Sequence, residues 1–188
     1  IERGDFYDPD TPALKNIYEY ALLSAGAAIE AMKISLKKGF AFSLMRPPGH
    51  HAGREGRALN VSTMGFCYFN NVAIATEKAI REGLVSKVAI VDLDYHHGNG
   101  TQEIFLGRRD VLYVSLHAYP AYPGTGKYSE ENCRNHPLPL DVSPREYFEV
   151  LERALKEVEE FSPEALGVSM GFDTYIYDPV GGLSLREE

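Results

Sequence analysis

The nine residues from Asp92 to Gly100, with the sequence DLDYHHGNG, follow a short β-branched run that predicts a buried strand. Residues two apart in extended backbone point the same way, so Asp92, Asp94 and His96 are expected to project from one side at the strand's C-terminal end. Open α/β sheets bind their ligands at that end. Neighbouring carboxylates repel each other unless a cation neutralises them. We therefore favour a metal site here over aspartates that only cap a loop.

The rest of the chain alternates between helical and strand-like patterns, which predicts an α/β fold. The predicted helices cover residues 14–38, 70–82 and 143–161, and the predicted strands cover residues 40–45, 87–91, 111–116 and 165–170. A break of the first helix at Gly26 is possible, and Ser143 begins the third with a capping box. Strict alternation implies a three-layer arrangement, a parallel sheet covered by helices on both faces. One domain is expected over residues 1–188.

Composition limits the classes of partner. The chain has 19 basic and 27 acidic residues, a net charge of −8, which argues against direct nucleic-acid binding through phosphates. We see neither a membrane-spanning run nor a signal peptide, so no membrane partner is expected. Cys67 and Cys133 form neither a disulfide framework nor a zinc-finger pattern, which favours a reducing, cytoplasmic setting. The sequence leaves the oligomeric state open.

A third metal ligand is predicted at Asp173, which follows another buried strand. Its alternative is an ordinary turn aspartate. Asp94, His96 and Asp173 would hold Zn2+ with room for water, as catalytic zinc sites do. His50 and His51 follow a rigid Pro-Pro-Gly turn, and one of them could move a proton near that water, although a loop histidine is more often a surface residue. Asp92 is better placed to orient a histidine than to join the metal.

Two loops combine glycine with aromatic residues. Phe66 follows Gly65 in one, and Tyr122 precedes a Pro-Gly-Thr-Gly run in the other. Core aromatics beside turn glycines would explain each loop equally well. If both lie at the mouth of a pocket, Phe66 and Tyr122 could form a narrow apolar slot, which would suit an alkyl chain.

With these residues assembled, the chain resembles the zinc-dependent deacetylase family of histone deacetylases, acetylpolyamine amidohydrolases and acetoin-utilisation proteins. The resemblance is strongest to the class II and prokaryotic branches. The matching motifs occur in the family's order over most of the chain: RPPGHHA at 46–52, GFCYFN at 65–70, DLDYHHGNG at 92–100, VSLH at 114–117, PGTG at 123–126, and GFD at 171–173 with Asp178-Pro179.

The resemblance implies an arginase-like α/β fold and hydrolysis of an acetyl amide, from acetyl-lysine or an acetylated polyamine, to free amine and acetate. Its implied zinc ligands are Asp94, His96 and Asp173. His51 resembles the general base and acid, and His50 resembles its electrostatic partner, held by Asp92. The implied substrate contacts are Gly65, Phe66 and Tyr122 in the acyl tunnel and Asp10 at its rim. Ser115, with the backbones around Asp92, Asp94, His96 and Leu116, resembles a structural potassium (K+) site.

The chain departs from the family pattern at two points. Asn99 stands where some branches carry an aspartate beside the second histidine, so we expect His51 to be less basic than in those branches. The family's oxyanion-stabilising tyrosine lies beyond the point where this sequence ends, so we expect a domain truncated on its C-terminal side and impaired in turnover.

Two other functions stay open on the sequence alone. One is a catalytically inactive acyl-binding or scaffolding domain stabilised by zinc, against which the intact His50-His51 pair argues. The other is a two-manganese hydrolase of the arginase type, which would need more carboxylate and histidine ligands than the sequence assembles.

Overall fold

Helices and strands follow one another along the chain in the computed structural model, which describes residues 8–187. The described elements, in chain order, are α1 (Ile17–Lys38), β1 (Ala52–Gly53), β2 (Gly56–Arg57), α2 (Asn71–Arg81), β3 (Val88–Asp92), α3 (Asn99–Phe105), β4 (Val111–Ala118), β5 (Cys133–Leu138), α4 (Pro144–Phe161) and β6 (Ala165–Ser169). Within the described residues, no helix is both long and apolar enough to cross a membrane.

The chain divides into two compact units. The first comprises Ile1–Val85 with Asn99–Ile104, and the second comprises Ser86–Gly98 with Phe105–Glu188. The single domain expected over residues 1–188 stays a prediction.

In the first unit, α1 packs against α2. Helix α1 runs through Gly26 without a break and ends at Lys38, where Gly39 caps it with φ +89°. Helix α2 begins after Asn70, whose side chain accepts a hydrogen bond from the backbone N–H of Ala73. That cap satisfies one of the donors that every helix N-terminus leaves unpaired. The short β1–β2 hairpin, which the sequence analysis did not predict, follows the two histidines of the PPGHH segment.

The strand predicted over residues 40–45 is wrong for the described residues. The segment has no strand assignment, and its apolar side chains are largely exposed, with Phe40 at 77% and Leu44 at 83%. A short apolar run forms a strand only when a neighbouring strand accepts its backbone hydrogen bonds. None of the strands within residues 8–187 pairs with this segment.

The second unit is built on a four-stranded parallel sheet with the order β5-β4-β3-β6. Strands β3 and β4 are buried along their whole lengths, as expected for central strands of a parallel sheet. Helix α4 packs on β4 and β5 through a buried stripe of Tyr147, Ala154 and Val158. The predicted capping box is confirmed, because Ser143 and Glu146 satisfy each other's backbone N–H groups.

Strand β5 is not among the strands predicted from the sequence. It pairs in parallel with β4 along its whole length, from Cys133 to Leu138. At the opposite edge, β6 pairs with β3 and presents Leu166 and Val168 about half exposed. The C-terminal ends of β3 and β6 lie in register, with Asp92 opposite Ser169, and on its other side Asp92 lies opposite Ser115, three residues before the end of β4. The loops that leave these ends carry most of the polar residues discussed below.

Candidate active site

Three potential metal ligands meet at the C-terminal ends of β3 and β6. Asp94 and His96 lie just beyond β3, and Asp173 lies just beyond β6. Nδ1 of His96 is 3.1 Å from Oδ1 of Asp94 and 2.9 Å from Oδ2 of Asp173. One ligand atom from each residue lies within 4.8 Å of the other two. Three converging donors of this kind, two carboxylates and an imidazole, can hold one metal ion.

The electrostatics of this cluster favour a cation. Burial alone would lower the pKa of His96, but hydrogen bonds to Asp173 and Asp94 outweigh burial and raise that pKa to about 9. The imidazolium therefore supplies the positive charge that two close carboxylates require. A metal ion would take over that role and displace the proton.

Backbone contacts hold the two carboxylates in place. The N–H of His96 donates to Oδ1 of Asp94 at 2.8 Å, and the N–H of Tyr95 donates to Oδ1 of Asp173 at 3.0 Å. Gly171 leaves room for both acids, since a Cβ there would lie 2.3 Å from Oδ2 of Asp94 and 2.6 Å from Oδ1 of Asp173. The GFD segment thus needs a residue without a side chain at its first position.

Asp92 is fully buried and is not one of the three clustered ligands, although its Oδ1 accepts a hydrogen bond from the backbone N–H of Asp94 at 3.3 Å. Its Oδ2 accepts a hydrogen bond from the hydroxyl of Tyr113 at 3.0 Å. Burial and the charge of Asp92 raise the pKa of Tyr113 well above its usual value, so the phenol keeps its proton and donates. Across the β3–β4 pair, Asp92 lies opposite Ser115, which is followed by Leu116. Asp92, Ser115 and Leu116, three of the residues expected at the potassium site, thus lie next to one another.

His50 and His51 are both buried, and their ring centroids lie 4.0 Å apart. Nδ1 of His51 is 2.7 Å from Oδ1 of Asn99, while Nδ2 of Asn99 donates to the carbonyl of Ala58 at 3.0 Å. Because the amide oxygen of Asn99 faces the ring, Nδ1 of His51 carries the proton. The lone pair of the imidazole is then on Nε2, which is the atom able to accept a proton.

Gly65 and Phe66 form a turn against His51. A Cβ at Gly65 would lie 2.3 Å from Cδ2 of His51, and both residues adopt positive φ, +51° and +66°. Asp10 and Thr11 hold this turn, since the N–H of Gly65 donates to Oδ1 of Asp10 at 3.1 Å and that of Phe66 donates to Oγ1 of Thr11 at 2.9 Å. The structure therefore gives Asp10 a support role at the Gly65-Phe66 turn, and its position at the rim of the tunnel stays a prediction.

Tyr122 lies beside a metal-ligand candidate. Its ring centroid is 5.9 Å from that of His96, in an edge-on arrangement, and 37% of the residue is exposed. An aromatic side chain in this position can form an apolar wall next to the ligand cluster.

The sequence analysis assigned no role to two further histidines, His97 and His117. Both are buried, and their ring centroids are 4.6 Å apart. His97 lies within the DLDYHHGNG string and His117 within VSLH, but the spacing of these motifs does not show that the two rings meet. Only the pairing of β3 with β4 brings them together.

Comparisons with known proteins agree on one family. Residues 2–188 match the family model described as histone deacetylase domain. A probable deacetylase from Methanothermobacter thermautotrophicus is 41% identical, over 98% of this chain and 57% of its own. The crystal structure of acetylpolyamine aminohydrolase from Burkholderia pseudomallei superposes with a TM-score of 0.80 at 38% identity, over 95% of this chain and 53% of its own.

A second solved structure, the HDA15 HD domain, superposes with a TM-score of 0.86 at 36% identity, over 95% of this chain and 54% of its own. These similarities confirm the predicted arginase/deacetylase-like α/β fold with its parallel sheet. The chain spans about half the length of the relatives it matches.

Proposed function

This chain belongs to the histone deacetylase family, and on that premise we propose that it is a zinc-dependent amidohydrolase. Its proposed reaction releases acetate and a free amine from an acetylated lysine side chain or an acetylated polyamine. The observation that carries the proposal is the cluster of Asp94, His96 and Asp173.

Zinc suits this cluster better than other common ions do. Zinc in catalytic sites takes three protein ligands from nitrogen, oxygen or sulfur and leaves a fourth position for water or substrate. Magnesium and calcium prefer all-oxygen surroundings, which the imidazole of His96 does not supply. The three residues would hold one ion, and a two-manganese centre would need further ligands. Metal analysis that finds two ions per chain would favour the manganese alternative.

The bound ion would polarise the acetyl carbonyl and acidify a water molecule. In the proposed mechanism, Nε2 of His51 accepts the proton of that water and later delivers it to the leaving amine. The Nδ1–H of His51 donates to Asn99 throughout, which keeps the ring in the required tautomer. His50 supports His51 electrostatically, and we propose that Asp92 holds His50.

The substrate's alkyl chain is proposed to run between aromatic side chains. The family resemblance assigns the walls of this slot to Tyr122, which lies beside His96, and to Phe66, which lies on the turn held by Asp10. Because Gly65 has no side chain, this turn can lie directly against the ring of His51. A slot of this kind would accept an unbranched chain such as that of lysine or a polyamine and would disfavour bulky substituents.

Asp92, Ser115 and Leu116 are proposed to bind a potassium ion as a structural element. The support is that Asp92, at the end of β3, lies opposite Ser115 on the buried strand β4, where Leu116 follows. We also expect the protein to work in the cytoplasm, in keeping with two buried thiols, Cys67 and Cys133.

The proposed function is tested by acetate release from acetyl-lysine peptides and acetylated polyamines, with zinc binding measured in parallel. His51→Ala is expected to abolish acetate release and to leave zinc affinity unchanged. His136→Ala is the matched control, because His136 pairs with Glu157 on α4 and has no part in the proposed chemistry. Acetate release that persists in His51→Ala would refute the mechanism. Zinc binding without acetate release in any variant would instead support the scaffolding alternative.

A further inference from the structure

The segment from Tyr122 to Gly126, here called the Tyr122 loop, is anchored at its far end by two buried histidines. Nδ1 of His97 is 2.8 Å from Oγ1 of Thr125, and Nε2 of His117 is 3.1 Å from the carbonyl oxygen of Gly126. Only 1% of His97 and none of His117 is exposed. Neither residue belongs to the ligand cluster of Asp94, His96 and Asp173.

The protons on His117 follow from its partners. The carbonyl of Gly126 can only accept, so Nε2 of His117 carries a proton and donates it. In the neutral ring Nδ1 is then an acceptor, and the hydroxyl of Ser115 donates to it at 2.8 Å. Ser115 lies on β4, a fully buried strand. The buried strand β4 therefore orients the ring of His117 through Ser115, and with it the hydrogen bond to Gly126.

The loop fits closely over the two rings. Gly126 adopts φ +79°, and a Cβ there would lie 2.6 Å from both Nε2 of His117 and Cγ of His97. At the other end of the loop, the N–H of Gly124 donates to the carbonyl of Ala121 at 2.8 Å and forms a tight turn. A five-residue loop fixed at both ends has little freedom to move the aromatic ring that it carries.

We propose that His97 and His117 are positioning residues that fix the Tyr122 loop, and that they thereby set how strongly the site binds the alkyl chain of its substrate. The inference rests on the proposed function, because it takes Tyr122 as a wall of the acyl slot. His97 directly follows His96, so adjacent residues supply a proposed metal ligand and a contact that fixes the Tyr122 loop. The position of the wall relative to the ion is thus set by adjacent residues.

Thr125 offers the cleanest test, since it is only partly buried and can lose its hydroxyl at nearly constant volume. Thr125→Val removes the hydroxyl that meets His97, and Thr125→Ser retains it as the matched control. The probes are two hydroxamic acids that chelate zinc, acetohydroxamate without an alkyl chain and hexanohydroxamate with one. Their dissociation constants are measured on the zinc-loaded protein.

Thr125→Val is expected to weaken hexanohydroxamate about three- to tenfold, the effect of one lost hydrogen bond, and to leave acetohydroxamate unchanged. Thr125→Ser should bind both probes as the parent protein does. A purely structural defect would weaken both probes together, so equal losses would overturn the inference. So would unchanged binding of both probes in Thr125→Val. Failure of the parent protein to bind either probe would refute the proposed zinc site and the inference with it.

His117 is tested by a second pair of variants with the same probes. His117→Gln places an amide N–H near the position of Nε2 and should keep the preference for hexanohydroxamate within about threefold. His117→Leu removes the donor to Gly126 and should reduce that preference selectively. Equal preference in the two variants would contradict the role assigned to His117.

Discussion

Two glycines, Gly65 and Gly171, leave space that the reactive side chains need. Gly65 lies against the ring of His51, and Gly171 lies between the carboxylates of Asp94 and Asp173. A Cβ added at Gly65 would lie 2.3 Å from His51, and one added at Gly171 would lie 2.3 Å from Asp94. At such a distance the neighbouring side chain must move. The sequence analysis placed both glycines in motifs, but only the folded structure shows which side chains lie against them.

Gly171→Ala is expected to push Asp94 and Asp173 apart and to lower zinc affinity by about tenfold or more, by analogy with the loss of supporting contacts at other metal sites. Isothermal titration with zinc measures the effect. Gly26→Ala serves as the control, because a Cβ at Gly26 meets open space on α1 and should stabilise the helix by up to about 1 kcal/mol. Unchanged zinc affinity in Gly171→Ala would show that the cluster does not depend on this close approach.

Asn99→Asp is expected to make His51 a stronger base, because a carboxylate stabilises the imidazolium that an amide cannot. The titration midpoint of the His51 imidazole, followed by NMR, should rise. The variant also loses the hydrogen bond from Nδ2 to the carbonyl of Ala58, so its stability is measured alongside. A midpoint that does not move would mean that residue 99 does not control the basicity of His51.

At the scale of elements, the sequence patterns predicted helices and strands correctly where a capping motif or a fully buried β-branched run marks the element. Helix α4 begins at the predicted capping box, and β3 and β4 lie where β-branched runs predicted them. Strand β5 was missed because Pro137 and His136 interrupt any alternation. The opposite error, at residues 40–45, arose because an apolar run shows that a segment can form a strand but not whether a partner strand exists.

Ser143→Ala is expected to lower the free energy of unfolding by about 1 kcal/mol, since it removes one half of the capping box of α4. Thermal or urea denaturation monitored by circular dichroism measures the change. Ser143→Asp retains a capping oxygen and should unfold nearly as the parent protein does. If alanine and aspartate unfold alike, the cap contributes nothing measurable to the fold.

At the scale of the whole molecule, the stability of the second unit depends on groups that are buried uncharged. Burial raises the pKa of the Cys133 thiol from 9.0 to about 12, and nearby Glu130 and Glu131 add to the rise. Burial also raises the pKa of Tyr147 from 10.0 to about 12, with a contribution from Asp92. Cys133 lies on β5 and Tyr147 on α4, so both elements packed beside β4 carry such a group. The alternation of residue types in the sequence does not reveal these shifts, because they depend on the packed surroundings.

The protein is therefore expected to lose stability in alkaline solution. Between pH 9 and about 12 the unfolded chain releases protons from these groups while the folded chain retains them, so the free energy of unfolding falls as the pH rises. Urea denaturation at pH 8, 9, 10 and 11 measures the slope. Cys133→Ala should show a shallower slope than the parent protein. An equal slope in the two proteins would show that ionisation of Cys133 does not contribute to the loss of stability.

The most direct test of the central claim is zinc binding by the purified protein, measured by stoichiometry and affinity beside Asp94→Ala and Asp173→Ala. The account predicts one tightly bound zinc per chain and a loss of affinity of more than about 100-fold in each variant, since even supporting residues cost about 10- to 100-fold. Asp141→Ala, which removes an exposed carboxylate at the turn before α4, should bind zinc like the parent protein. Zinc binding that is indifferent to Asp173 would contradict the account, because the ends of β3 and β6 would then not form one metal site.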